Sequence, residues 1–488
     1  MSLIKLLLPV LILSFAGCKK GSEVLAKFDG GEILRQDLQD IYEIENIPRD
    51  EKTTSIQTQS GIIEQLAIQS MMELEGTKNG LFEREDVKNL MFLSEKQITV
   101  NLIRKNLINK LKDSKGLELV SLQLIMKSVP GKEAADALLE EVKKLSGDDK
   151  IEEFFSAQTD EKGRKCLGGH LEPQCANCVG NEQLIEIFQE GISAKDNNFY
   201  LTFLENRAFI YRITKTKEVK ADKVESYISD VLKDFNRRAI EYTNKNQGTE
   251  EKEEAQYYLE DGDRLKEKAK MTANQYINGF ESKLWQDEVV KQMEDPKNSI
   301  AEEAKVHPSM LPDTLPEDLV LFKNEKTSYI YKNLIDDFNK IPNLPKNQIT
   351  ARERVKFFQS VILNSLLFEN SEISSDIRTS SNFKNAQKFM RRNIAFSFFK
   401  KDIESKDFDI TEEDLKATYE AGKQFSYSEA SPTNPNERKP IPFETVKSRI
   451  RQEIISQRAS SEIQAKMKDL KTQYHMEIFT DKLKAGEI

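Results

Sequence analysis

Val24-Leu-Ala-Lys-Phe-Asp-Gly-Gly-Glu-Ile-Leu-Arg-Gln-Asp-Leu38 reads as a short strand, a tight turn and the first turn of a helix. Leu25 to Phe28 alternates in the manner of a strand, and the Gly30-Gly31 pair supplies the turn. From Arg35 the period changes, and Leu38, Ile41, Tyr42 and Ile44 gather on one side of a helix. Two longer amphipathic stretches follow. One carries Ile62, Ile63, Leu66, Ile68, Met71 and Leu74, and the next carries Leu90, Leu93, Ile98, Leu102, Ile103, Leu107 and Leu111. Spacings of three and four place these residues on stripes that must be buried against one another.

The same order recurs later in the chain. Leu321-Phe-Lys-Asn324 matches the strand at Ala26, Phe28 and Asp29, and Leu334 to Phe338 matches Leu38 to Tyr42. Val355, Phe358, Val361, Ile362 and Leu366 then match the second helix, and Phe389 to Phe399 the third, with a two-residue insertion. The pattern predicts an internal duplication of a helical module.

Between the two copies the texture differs. Leu117 to Met126 reads as a strand, followed by a helix rich in alanine and leucine (Ala134 to Leu145), a cysteine-bearing loop, a short helix from Leu184 to Phe188, and a strand from Ala208 to Thr214. That is an α+β unit of about one hundred residues, the size of an independent domain. Charged helix fills residues 217–294, where Thr249 to Glu254 reads as a solvated face. Pro296, Pro308, Pro312 and Pro316 mark residues 295–318 as a linker. After the second copy, residues 411–442 hold only a helix and a polar turn region around Ser431 to Asn436. A long amphipathic helix follows (Phe443, Val446, Ile450, Ile454, Ile463, Met467, Leu470, Tyr474), then a final strand from Met476 to Phe479.

The N-terminus sets the compartment. Lys5, the apolar run Leu6 to Phe15, and Ala16-Gly17-Cys18 read as a secretory signal too short to span a bilayer. Its cysteine after Ala-Gly makes it resemble a lipoprotein signal, which implies cleavage after residue 17 and lipidation of Cys18. Charged residues make up 32% of the 488 positions and the net charge is −9, with no basic stripe interleaved with aromatics, so nucleic acid is excluded as a partner. The phosphate-cradling pattern G-x-x-x-x-G-K-[ST] is absent, so binding must be passive.

The whole arrangement resembles the SurA/PrsA-like foldases, extracytoplasmic chaperones that join a helical peptide-holding module to parvulin-type prolyl isomerase domains. Val24 to Leu38 resembles that family's opening strand, turn and helix. Ile410-Thr-Glu-Glu-Asp-Leu-Lys-Ala-Thr-Tyr419, Pro442-Phe-Glu-Thr-Val446 and the helix after them resemble its closing region. Residues 118–216 resemble the parvulin domain through the first strand, the Ala-rich helix, Phe154-Phe-Ser156 leading to Asp160, the Gly168-Gly169 turn, Gly191-Ile-Ser193 and the last strand. The implied fold is mainly α: a duplicated helical chaperone module with one inserted α+β parvulin-like domain. The divisions expected are a signal peptide (1–17), lipidated linker (18–22), first helical module (23–116), parvulin-like domain (117–216), charged helices completing the first module (217–294), linker (295–318), second module (319–404) and closing segment (405–488).

Active parvulins carry one histidine in the first strand and one in the last. The matching positions here are Gln123 and Phe209, and Asp160 matches the polar position before the double glycine. Rotation about a prolyl bond crosses a barrier of about 18–20 kcal/mol, which one carboxylate without the histidine pair does not lower in the family's way. The resemblance therefore implies a degenerate isomerase retained as a binding surface, with an active prolyl isomerase as the alternative and a surface adhesin or structural lipoprotein as a third reading.

Cys166, His170, Cys175 and Cys178 place three thiols and an imidazole within 13 residues. A C-x2-C pair is a zinc half-site, and the four together suit a closed, structural zinc. The same spacing suits a disulfide with a thiol left over, or a redox-active Cys175–Cys178 pair. No cofactor is otherwise required. The expected partners are unfolded or nascent secreted and outer-membrane polypeptides, and a membrane reached through the N-terminal lipid.

Overall fold

The computed structural model describes residues 23–45, 47–160, 165–245, 259, 261–340, 349–368, 372–431 and 434–486. The signal segment, Cys18 and the acidic block at 249–254 lie outside the described residues.

The chain opens with β1 (Val24–Phe28), β2 (Gly31–Leu34), α1 (Arg35–Ile44), α2 (Ile56–Lys78) and α3 (Glu85–Ser114). The α+β unit comprises β3 (Leu117–Ser128), α4 (Lys132–Lys143), α5 (Asp148–Gln158), β4 (Gln174–Cys175), α6 (Glu182–Ala194), β5 (Phe199–Leu204) and β6 (Arg207–Val219). Two long helices follow, α7 (Val224–Lys245) and α8 (Gly262–Glu294), then three strands, β7 (Ser299–Ile300), β8 (Val320–Lys323) and β9 (Ser328–Ile330). Next come α9 (Tyr331–Asn339), α10 (Ala351–Phe357), a π-turn (Phe358–Ile362), α11 (Leu363–Phe368), α12 (Glu372–Thr379) and α13 (Ser381–Glu404). The last elements are α14 (Glu412–Gly422), the hairpin β10 (Ser428–Ser431) and β11 (Asn434–Pro440), α15 (Phe443–Gln473) and β12 (Glu477–Ile478). The protein is mainly helical, and among the described residues no helix is long and apolar enough to cross a membrane.

The opening stretch folds as its pattern predicts. Gly30, at φ 90°, takes the left-handed turn conformation, and a bulge between Val24 and Ala26 shifts the β1–β2 register. The Asp37 carboxylate accepts from the Leu34 N–H at 2.8 Å and so starts α1. The hairpin at 320–330 has the same construction: a bulge between Val320 and Phe322, and an Asn333 side chain accepting from the Ile330 N–H at 2.9 Å. Val24 to Leu38 and Val320 to Leu334 have equal spacing, so the expected two-residue insertion is not in the hairpin. Each hairpin gains a third strand from the end of a long helix. β12, after α15, pairs with β1, and β7, after α8, pairs with β8.

The two helical cores share their elements crosswise. The first unites β1, β2, α1 and α2 with Met390, Ile394, Ala395 and Phe398 of α13 and Leu470 and Tyr474 of α15. The second unites β7 to β9 and α9 to α12 with Leu93 and Ile103 of α3, and Trp285 of α8 stacks on Phe368 at 5.1 Å. Polar bonds run alongside: Gln69 donates to Asn393 at 3.0 Å, and Arg391 reaches Glu73 at 2.8 Å. Residues 23–116 and 319–404, the two helical modules expected from the sequence, therefore do not form two self-contained cores, because each core is completed by the third helix of the other segment.

Residues 295–318 are likewise no linker. Their prolines begin or follow tight turns, with Pro308 opening one that His307 caps, while Ile300, Ala304 and Leu311 are buried in the second core. The region 411–442 holds a β-hairpin in place of a bare polar turn. With α14 and the first half of α15 it forms a small cluster of its own around Leu415, Tyr427 and Ile450.

Candidate functional site

The sheet of the α+β unit is antiparallel throughout, in the order β4-β3-β6-β5. Side chains alternate across it. Ile125 and Ile210 face α4 and α5 with Leu138, Val142, Ile151 and Phe155, whereas Leu122, Leu124, Tyr211 and Ile213 face Phe188 of α6.

This alternation separates two of the expected site residues. Gln123 lies opposite Arg212 on the α5 side, whereas Phe209 lies opposite Met126 on the α6 side. Gln123 is fully buried and fully engaged. Its Nε2 donates to the Gly168 carbonyl at 3.0 Å, and its Oε1 accepts from Arg212 Nε at 2.6 Å. Arg212, equally enclosed, reaches Asp148 at 2.9 Å at the start of α5. The chain Gly168–Gln123–Arg212–Asp148 is a polar strut, buried except at Asp148, and both polar atoms of the buried Gln123 are engaged within it. Asp160 sits at the far end of β3, where its carboxylate accepts from the Ser128 N–H at 2.7 Å and its own N–H donates to the Met126 carbonyl. Asp160 and Phe209 thus share one end of the sheet and Gln123 does not join them. On the face that Phe209 occupies, β3 presents Leu122, Leu124 and Met126, none of which moves a proton.

The cysteine cluster resolves into two places. Cys175 and Cys178 form a disulfide. Cys166 is a buried thiol outside that disulfide, packed in a different cluster with Leu167, Phe235 and Ala239. His170 turns its Nε2 to Glu152 at 3.1 Å. Among the described residues no group of three or more His, Cys, Asp or Glu side chains is placed to hold a metal ion, so the four-ligand zinc arrangement is not assembled. The physical reason is that β4 pairs Cys175 with Leu119, directing its loop toward α8, while the Gly168-Gly169 turn lays His170 beside Gln123.

The disulfide loop fastens the unit to α8. The Val179 N–H donates to the Gly279 carbonyl at 3.0 Å, and the Tyr276 hydroxyl donates to the Pro173 carbonyl at 2.8 Å. Burial holds the His170 imidazole below its ordinary range, with Glu152 partly opposing the shift. The unfolded chain therefore binds this proton more readily than the folded one. Stability from His170 is fully present above the ordinary imidazole range and declines as pH falls through that range toward the folded value. Replacing His170 with Gln is expected to flatten this part of the curve of unfolding midpoint against pH, as measured by denaturant titration from pH 8 to pH 5; an unchanged slope would show that another group is responsible.

A second candidate lies between the two cores. An open cleft of about 640 Å³ runs between α1, α3, α8 and α13. Ile44, Ile98, Leu102 and Ile108 supply apolar lining, and Asn101, Asn109, Asn382 and Asn385 supply amides. The Asn385 amide donates to Asp40 at 2.7 Å, and burial, with Asp37 and Glu43 nearby, raises the Asp40 carboxyl above its usual range. Sequence reading placed Ile98 and Leu102 on a packing stripe and passed over Asn101 and Asn109. The available signal was their spacing, which interleaves amides with the apolar residues on one helix.

A family model described only as ":-like" matches residues 1–488. The chain belongs to that family. The description states neither a fold nor an activity, and no curated protein matches the chain. Among solved structures, a chain from work on PEB4 and Cj1289, two structurally related SurA-like chaperones of Campylobacter jejuni, matches at 18% identity. The match covers 46% of this chain and 96% of that one with a TM-score of 0.19, a value too low to carry fold or function across.

Proposed function

We propose that this protein is a passive, ATP-independent chaperone that holds unfolded polypeptides outside the cytoplasm, tethered through a lipid on Cys18. The observation that carries this reading is the cleft between the crossed cores. Apolar side chains there can bury client side chains, while Asn101, Asn109 and Asn382 offer donors and acceptors to a peptide backbone, and Asp40, Glu43, Arg104, Lys105 and Glu281 line the same walls with charge of both signs. Such lining favours extended chain over a particular sequence. The α+β unit is read as a parvulin-like domain without catalysis, since Gln123 is consumed in a strut and, on the face bearing Phe209, the hydroxyls of Tyr200, Thr202 and Tyr211 are engaged with Asp196, the Ile187 carbonyl and the Gly191 N–H. The matching bulges and helix starts of the two hairpins support a duplicated module that enlarges the holding surface.

The test uses the mature chain without lipid, a client that aggregates on dilution from denaturant, and a second substrate whose refolding is limited by a cis proline. Aggregation is expected to be suppressed and the slow refolding phase unchanged. The double variant Ile44→Glu/Asn101→Glu, built at two exposed positions of the cleft wall, is expected to weaken suppression by about fivefold or more while unfolding at the parent's midpoint. An accelerated slow phase would instead make the protein an isomerase.

A further inference from the structure

Open strand edges invite pairing with other chains, and proteins ordinarily blunt them with charge, proline, bulges or brevity. The described sheets follow that rule with one exception. β4, β7 and β12 have two residues each and β9 three. β2 carries Glu32, β10 carries Glu429, and β11 ends in Arg438, Lys439 and Pro440. β5 is Phe-Tyr-Leu-Thr-Phe-Leu, six residues without a charge or a proline, paired to β6 in unbroken register from Phe199–Arg212 to Leu204–Arg207. All six residues remain partly or largely exposed, with Leu204 at 47%.

The outer edge of β5 has a definite hydrogen-bond pattern. Glu205 and Asn206 both adopt positive φ, 47° and 61°, which makes the β5–β6 connection a two-residue type I′ hairpin. In such a hairpin the flanking pair Leu204–Arg207 is the hydrogen-bonded one, and bonding alternates from there. Leu204, Thr202 and Tyr200 therefore bond to β6, while the N–H and C=O groups of Phe203, Leu201 and Phe199 point outward. Among the described residues no backbone or side-chain hydrogen bond reaches those outward groups. α4 and α6 pack on the two faces of the strand, and β5 is the terminal strand of its sheet.

The geometry points to β5 as a strand-addition site for an extended, uncharged segment of an unfolded polypeptide. The backbone groups recognise any extended chain, and Leu201, Phe203, Thr202 and Leu204 offer flanking surface to alternate side chains. This inference rests on the polypeptide-binding reading above and gives it a second contact, separate from the cleft. Six residues of ladder fall well short of the roughly 800 Å² per partner that a stable folded pair needs. That favours transient capture of extended client over docking of a second copy of this chain.

The experiment uses the mature chain and a decapeptide, Lys-(Thr-Val)4-Lys, with a second version N-methylated at alternate residues so that it cannot add as a strand. Hydrogen–deuterium exchange is followed by mass spectrometry, alongside binding of an unfolded client protein. The parent peptide is expected to slow exchange in the segment spanning residues 199–204, and the N-methylated peptide is expected to lose that effect. Phe203→Pro removes one outward N–H and no ladder bond, and should weaken peptide binding at least about tenfold with the unfolding midpoint retained. Peptide or client binding that protects other segments only would overturn the strand-addition site and leave the chaperone reading standing. Failure of both peptide and client to bind would overturn both. Protection of 199–204 that grows with protein concentration alone would assign the edge to a second copy and likewise overturn the proposal.

Discussion

Cut between residues 295 and 296, the chain is expected to yield two fragments, neither of which completes a helical core. The N-terminal fragment lacks α13, α15 and β12, which supply Met390, Ile394, Phe398, Leu470 and Tyr474 to the first core. The C-terminal fragment lacks α3 and α8, which supply Leu93, Ile103 and Trp285 to the second. Each buried large side chain is worth about 1.5–3 kcal/mol, so losing three to five from one core removes about 4.5–15 kcal/mol, comparable with the whole net stability of an ordinary domain. Mixed together, the fragments should reassemble one to one. The single tryptophan of the sequence, Trp285, lies on one fragment and stacks on Phe368 of the other, so its fluorescence reports assembly directly. The α+β unit, with its own clusters, should stay folded in the first fragment and serve as an internal control. Cooperative unfolding of residues 296–488 alone, near the parent midpoint, would refute the crossed-core account.

Gly279→Ala is expected to destabilise the protein by about 1–2 kcal/mol, although helix propensity alone argues for a gain of about 1 kcal/mol at an interior helical glycine. A Cβ there would lie 2.6 Å from the Val179 carbonyl oxygen and 3.0 Å from Cys178 Cβ. The nearest obstacle is backbone one residue beyond the Cys175–Cys178 disulfide and cannot rotate away, so α8 must lift and the Val179–Gly279 bond must stretch or break. Gly262→Ala is the control, since at the start of the same helix nothing lies within 4 Å of the added carbon. Denaturant unfolding of both variants reads the sign. If Gly279→Ala gained stability as propensity alone predicts, the disulfide loop would not be a rigid clamp on α8.

Local patterns carried much of the fold. The alternation at Leu25 to Phe28, the Gly30-Gly31 turn and the stripe from Leu38 fixed β1, β2 and α1 to within a residue or two, because each is decided by neighbours in sequence. What sequence did not reveal was which stripe meets which. α3 buries Val87, Leu93, Thr99, Ile103 and Ile108 against different partners along its length, and nothing local distinguishes its own core from the other one. β5 escaped notice because α4 and α6 flank both its faces, which erases the alternation that marks a half-buried strand. At the site, Gln123 and Phe209 were placed on the correct strands. Their separation depends on the β3–β6 register, which pairs Met126 with Phe209 and is set by the bulge at Ser121–Leu122. The cysteines allowed several pairings by spacing alone, and the turn of β4 onto Leu119 selected among them.

The pairing of β12 with β1 also sets a schedule. The Arg35 guanidinium donates to the Lys482 carbonyl at a sequence separation of 447, and the Asp29 N–H donates to the Tyr474 carbonyl. At a synthesis rate of about 5–20 residues per second, roughly 20–90 s separate the appearance of the first strand from that of its neighbour. Throughout that interval the opening hairpin has one side bare and its core unfinished. The first core therefore matures only after residues 477–483 have emerged, and a premature stop ahead of them undoes the beginning.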